Sequence, residues 1–176
     1  MLKLKKLFVE RYSNNIEYDL YIPFDLKVTY SKIGSERFYM MGNNVNSILE
    51  IYTDIYTGKV TSITLVAPNR SRTGKIKLAD DIIFLDKVPG LAVDDYKDVE
   101  VIEENGWGYV RITNEFEVIL DKSSILIEFQ NAKKDRVATK MKNVILVFDE
   151  ELRLSKIIIR EIKERAIEIL KKSLRI

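Results

Sequence analysis

The chain contains no histidine and no cysteine, and among its 176 residues there are only three prolines, seven glycines and one tryptophan. Histidine is the one side chain that titrates near neutrality unaided, and cysteine supplies thiolates, disulfides and soft metal ligands. Without them a Ser-His-Asp triad, a Cys-His pair, an ordinary zinc site and a disulfide framework are all excluded. No window approaches the ~20 consecutive apolar residues of a membrane-spanning helix. The N-terminal stretch Met1–Glu10 is broken by charge where a secretory signal needs an unbroken apolar run, so a cytoplasmic location is expected. No linker rich in Ser, Gly or Pro divides the chain, and 1–176 reads as a single domain.

The residues present are 46% hydrophobic, enough for a sizeable core without staples. The 29 basic residues nearly balance the 27 acidic ones, and a net charge of +2 does not advertise nucleic acid or an anionic membrane as a partner. Most apolar positions fall in short runs rich in Ile, Val, Tyr and Phe, the pattern of strands separated by turns. Strands are expected at Ile16–Ile22, Leu26–Tyr30, Phe38–Met41, Ser47–Ile55, Lys59–Val66, Ile82–Leu85, Val99–Ile102, Tyr109–Ile112, Phe116–Leu120, Ser124–Phe129, Asn143–Phe148 and Leu152–Ile159. The short separators Tyr56–Gly58, Asp121–Ser123 and Asp149–Glu151 mark three hairpins and therefore antiparallel pairing. From Glu161 onward Ile162, Ala166, Ile169, Leu170 and Leu174 recur at helical spacing, which predicts a C-terminal amphipathic helix. The expected fold is α+β: an antiparallel twisted sheet or half-open barrel of eight or more strands with that helix packed on one face. Segments 47–66 and 143–159 resemble one another, as two hairpins of similar design would.

Charge is distributed less evenly than its total. Between Asp80 and Glu104 nine acids face two bases, a net of −7. Directly after it comes Asn105-Gly106-Trp107-Gly108-Tyr109, with the single tryptophan between two glycines. Trp and Tyr are enriched at interface hot spots. Asp94, Asp95, Asp98, Glu103, Glu104, Trp107 and Tyr109 are therefore the candidate partner-binding residues, forming an acidic, aromatic-bearing surface for a basic protein. The alternative is a solvated loop beside a core tryptophan, with Asn105-Gly106 as a hairpin turn. Two basic clusters, Arg70–Lys77 and Lys133–Lys142, lack the interleaved aromatics of a single-strand platform and read as solvated loops. Thr57-Gly58-Lys59 and Thr73-Gly74-Lys75 lack the first glycine of a phosphate loop, and Asp94, Asp95 and Asp98 do not have calcium-loop spacing. No catalytic residue, cofactor or metal is assigned.

The segment Ile48-Leu49-Glu50-Ile51-Tyr52-Thr53-Asp54-Ile55-Tyr56-Thr57-Gly58-Lys59-Val60-Thr61-Ser62-Ile63-Thr64-Leu65-Val66 resembles the strand, Thr-Gly turn, strand hairpins of small bacterial immunity proteins from polymorphic toxin systems, and Val144–Ile159 is similar. The resemblance implies a non-catalytic cytoplasmic protein that blocks one toxin by surface complementarity. It assigns no binding residue. Two other readings stand beside it: a histidine-free enzyme or small-ligand binder with a pocket between sheet and helix, and nucleic-acid binding through the basic loops.

Overall fold

The computed structural model of the chain describes residues 1–43, 45–94, 99–104 and 107–176, with Glu104 and Trp107 described by backbone alone. Among these described residues sixteen strands and one helix run, in order, β1 (Leu2–Phe8), β2 (Tyr12–Glu17), β3 (Phe24–Tyr30), β4 (Glu36–Gly42), β5 (Ile48–Asp54), β6 (Val60–Ala67), β7 (Ser71–Thr73), β8 (Ile83–Leu85), β9 (Val88–Val93), β10 (Glu100–Glu104), β11 (Trp107–Thr113), β12 (Phe116–Leu120), β13 (Ile125–Phe129), β14 (Asp135–Met141), β15 (Val144–Asp149), β16 (Leu154–Ile159) and α1 (Glu164–Leu174). The fold is α+β and largely antiparallel with a C-terminal helix. The strands do not form one sheet or a closed barrel. They divide into a two-stranded ribbon, β1-β9, and two seven-stranded sheets.

The first sheet has the order β10-β11-β4-β5-β6-β3-β2 and the second β7-β12-β13-β16-β15-β14-β8. Within them, β2-β3-β6-β5-β4 and β12-β13-β16-β15-β14 are the same antiparallel five-strand order. Each is extended by a parallel strand on its last member, β11 on β4 and β8 on β14. Even the irregularities agree: a bulge inserts Thr61 between the pairs Thr53–Val60 and Tyr52–Ser62, and another inserts Ser155 between Phe148–Leu154 and Val147–Lys156. The likeness of segments 47–66 and 143–159 thus extends over six of the seven strands of each sheet. Inner-face residues of both, among them Leu26, Ile51, Ile63, Ile127, Leu146 and Ile157, merge into a single core.

The two hairpin turns carry the same device. The Asp54 carboxylate accepts the Tyr56 and Thr57 amides at 3.2 and 2.8 Å and, on its other oxygen, the Gly34 amide at 2.7 Å. The Asp149 carboxylate accepts the Glu151 and Arg153 amides at 2.9 and 3.0 Å and, on its other oxygen, the Lys133 amide at 3.1 Å. Gly58 and Leu152 both turn the chain with positive φ, 72° and 60°. The ribbon then docks symmetrically. Leu4 and Leu91 are partners across β1-β9; the Leu4 amide donates to Leu152 O and the Leu91 amide to Gly58 O, each at 2.8 Å. A side chain at Gly58 would put its Cβ 2.4 Å from Leu91 O, so this contact requires glycine.

Several elements depart from the sequence pattern. The strand expected at Ile16–Ile22 lies earlier, at β2, because its alternating exposure places Tyr12, Asn14 and Ile16 toward the protein. Strand β9 contains Pro89 and Gly90, which read locally as breakers; it pairs with β1, and a Cβ at Gly90 would lie 2.6 Å from Thr57 O. The Lys133–Lys142 loop contains strand β14, and Ser71–Thr73 pairs in parallel with β12. The helix starts at Glu164 because Lys163, at its N-cap, has extended backbone with φ −66° and ψ 148°, and it buries Ile167, Leu170 and Leu174 in the shared core, leaving Ile169 half-exposed. It is tied to the second sheet by the Ser71 hydroxyl, which donates to Leu174 O at 2.9 Å.

Burial alone would push the Asp149 carboxyl up, but hydrogen bonds from the Arg153 guanidinium and from the Lys133, Arg153 and Glu151 amides hold it below the usual carboxylate range. Asp54 is held low against burial in the same way, by the Thr57 hydroxyl and three amides. A carboxyl whose folded pKa lies below its unfolded value, about 3.9, contributes stability that is complete above about pH 4 and is lost as pH falls through the folded value. Asp149→Asn is therefore expected to lower stability at pH 7 by about 2 kcal/mol, with a shallower loss than the parent on acidification below about pH 4. Thermal unfolding followed by circular dichroism between pH 2 and pH 7 checks both parts.

Candidate functional site

Because the two sheets share one framework, their outer faces can be compared position by position. On the second sheet the outer face is apolar: Ile119, Leu126, Ala138, Ile145, Val147 and Ile158 form a second core. It is covered by the segment 74–82, which crosses from the edge at β12 to the edge at β14. Ile76, Leu78 and Ile82 of this strap pack down onto the sheet, while Lys75 and Lys77 are exposed. The Gly74 amide donates to Leu120 O at 3.0 Å, the Ile76 amide to Asp121 Oδ2 at 3.1 Å, and Asp81 is paired with Lys134. Part of the basic cluster Arg70–Lys77 is thus the polar side of an internal cover.

On the first sheet the matching positions are polar and aromatic. Glu50 lies opposite Thr64 and Thr64 opposite Asp25, in the places of Ile145, Ile158 and Leu126; Tyr52 lies opposite Phe38, in the places of Val147 and Ala138. All five are half-buried. The aromatic row continues across β11-β4-β5. The Phe38 and Tyr52 rings stack with centroids 4.7 Å apart at 8°, and Tyr109 tilts against Phe38 at 5.4 Å. Arg111, beside it, bonds Glu100 at 2.9 Å and the Tyr109 hydroxyl at 3.1 Å. Next to the row is a groove of about 470 Å³ whose charged lining is Asp25, Glu36 and Glu50 against Lys27. Three carboxylates therefore face one ammonium.

The electrostatics of this groove are those of acids lacking a counter-charge. Burial, followed by the Asp25 carboxylate, pushes the Glu50 carboxyl up, outweighing a hydrogen bond from Tyr52. The Tyr52 phenol is also raised, by burial and then by Glu50, Glu36 and Asp25, all of which act on it. Lys27 reaches Asp25 at 3.2 Å, and Asp25 accepts the Thr64 hydroxyl at 2.8 Å.

The residues singled out from the sequence are divided by the fold. Asp94 directly follows the ribbon and is paired with Lys3 at 2.6 Å and with Lys5, so its charge is used internally. Asp95, Asp98 and the Asn105-Gly106 turn lie outside the described residues. Glu104 and Trp107 are partners in the β10-β11 ladder; Glu103 on that hairpin is exposed, and Tyr109 belongs to the aromatic row. Of the candidates, Glu103, Glu104, Trp107 and Tyr109 thus belong to the first sheet, and Asp94 lies just beyond the ribbon. Phe38, Tyr52, Glu50 and Asp25 were not singled out, although the alternation Leu49-Glu50-Ile51-Tyr52 signals a strand with one uncovered face, unlike the unbroken apolar run Val144–Phe148.

The basic clusters do meet on one groove of about 300 Å³, lined by Arg70 and Lys133, but Lys156, Glu117, Glu128 and Asp135 line it too. Three cations face three carboxylates, and Arg72 is paired with Glu117 and Lys133 with Glu151. Among the described residues no group of three or more acids is arranged to hold a metal ion, and no helix is long and apolar enough to cross a membrane. Compared with known proteins, the sequence matches no family model and no curated protein sequence.

The two outer faces should respond oppositely to substitution. Ile145→Ala empties space under the strap and is expected to cost about 3 kcal/mol. Glu50 has a folded pKa above its unfolded value of about 4.3, so its ionised form is penalised by folding at neutral pH and the penalty fades as pH falls. Glu50→Gln is expected to raise stability slightly at pH 7, by under about 0.5 kcal/mol, with the difference vanishing below about pH 4. Thermal melts of both variants at pH 4 and pH 7 measure this.

Proposed function

We propose that the protein is a non-catalytic binding module whose outer face on the first sheet engages a basic protein partner. The observation that carries this reading is the contrast between two equivalent faces: one is apolar and covered by the chain's own strap, the other is aromatic and, among the described residues, uncovered and short of cations. Half-buried aromatic rings in a row supply contact area at small cost in side-chain entropy, and unpaired carboxylates around them steer a cationic surface into register. Of the acidic segment 80–104, Glu100 lies on the Tyr109 side of the sheet at the rim, paired with Arg111, whereas Glu103, opposite Gly108, alternates to the other side. If the basic partner is a toxin, such a module acts as an inhibitor of the immunity-protein kind, in keeping with the hairpin resemblance.

The reading is tested by comparing captures. The immobilised wild-type chain is expected to retain a basic protein from the source cells, and retention should fall as salt is raised. A Phe38→Ala/Tyr52→Ala double variant, shown by circular dichroism to be folded, should lose that protein by at least about tenfold, the loss of one or two interface hot spots. Ile76→Ala on the strap should leave it bound. Equal retention by the double variant and the wild type contradicts the proposal.

A further inference from the structure

The matching grooves of the two sheets differ in where an ammonium group sits. In the second sheet Lys156 lies opposite Val147, beside the bulge residue Ser155. Its ammonium is bonded to Asp135 and lies 3.2 Å from Glu128, while the Ser155 hydroxyl donates to Asp135 at 2.8 Å. That cluster is closed: each carboxylate has its cation and the hydroxyl has its acceptor. In the first sheet Ser62 lies opposite Tyr52, beside the bulge residue Thr61, so a serine stands in the place of Lys156. Glu36 lies opposite Asp54 as Asp135 lies opposite Asp149.

The consequences are visible in the groove. Thr61 is 4% exposed and lines it, and its hydroxyl, the counterpart of Ser155, is buried without a hydrogen-bond partner among the described residues. A buried hydroxyl without a partner is costly and uncommon in a finished structure. Neither Glu36 nor Glu50 takes part in a described ion pair, and the one ammonium lining the groove, Lys27, is paired with Asp25. Glu36 thus keeps the place of Asp135 and Thr61 that of Ser155, while Ser62 replaces Lys156 and Lys27 replaces Glu128; with Lys27 spent on Asp25, no described ammonium is paired with Glu36 or Glu50.

We propose that this groove is a receptor for a lysine side chain of the protein partner, which supplies in trans the ammonium that Lys156 supplies in cis to the second sheet. The inference rests on the reading of this face as a docking surface. The internal counterpart is a compact ammonium rather than a planar guanidinium, which selects lysine over arginine. The groove offers its three donors the Glu36 and Glu50 carboxylates and the Thr61 hydroxyl, and its methylene stem lies along the stacked Tyr52 and Phe38 rings. A protein source is favoured over a free amine because the groove is open and continuous with the aromatic row, where only a longer chain gains enough contact.

The probe is a blocked tetralysine peptide, with its Nε-acetylated form as the control, titrated into the full chain and followed by amide chemical shifts. Saturable shifts centred on Glu50, Tyr52 and Thr64 are expected with tetralysine and absent with the acetylated peptide. Ser62→Lys should fill the groove from within and weaken peptide binding at least tenfold; Glu50→Gln, which keeps the side-chain volume, should weaken it at least threefold. Equal shifts with the acetylated peptide, binding undiminished in both folded variants, or equal binding of spermidine and tetralysine would overturn the proposal. If partner capture remains sensitive to Phe38 and Tyr52 while tetralysine does not bind, the docking face stands and the lysine reading falls.

Discussion

Two buried carboxylates, Asp54 and Asp149, hold the frame on which everything else is arranged. Each closes its own hairpin turn and at the same time ties that turn to the residue two positions ahead of a neighbouring strand, Gly34 before β4 and Lys133 before β14. An ionised carboxyl so deeply buried is tolerable only because several donors converge on it. The turns so fixed present Gly58 O and Leu152 O at matching positions, and the β1-β9 ribbon spans them through Leu91 and Leu4. Loosening either aspartate would free one side of the ribbon and expose core residues Leu2, Leu4, Val88 and Leu91.

With that frame in place, one strand order serves two purposes. The inner faces are interchangeable in kind, aliphatic and aromatic residues that fuse into one core. The outer faces diverge because β15 and β16 spend their second face on a strap, whereas β5 and β6 do not. A sheet buried on both sides backs the core; a sheet buried on its inner face alone leaves Phe38, Tyr52 and Tyr109 in a row on its outer side. The division of labour follows from the side chains at five pairs of positions, not from any change in topology.

Much of this was legible in the residues. The three hairpins, the terminal helix and the β-rich α+β class follow from alternation, turn chemistry and spacing. Strand β9 was hidden by Pro89 and Gly90, whose roles are set by contacts with β1 and the Thr57 turn that no local pattern encodes. Strand β14 was hidden because its exposed Arg136 and Lys140 make the segment read as a basic loop, while its buried Ala138 and Thr139 are too small or polar to announce a core strand. The acidic segment drew notice through its net charge, yet Asp94 is neutralised by Lys3 and Lys5, and uncompensated acids are found instead at Glu36 and Glu50, where the local sequence is not acidic overall. Linear charge counts miss such sites because pairing across strands is set by register.

The central claim is that the outer face of the first sheet is the working surface and that of the second sheet is structural. Amide hydrogen exchange on the protein, alone and saturated with a captured basic partner, tests it most directly. Added protection should fall on β4, β5 and β6, around Phe38, Glu50, Tyr52 and Thr64, with β15, β16 and the strap 74–82 unchanged. Protection confined to the strap, the helix or the second sheet would contradict the account.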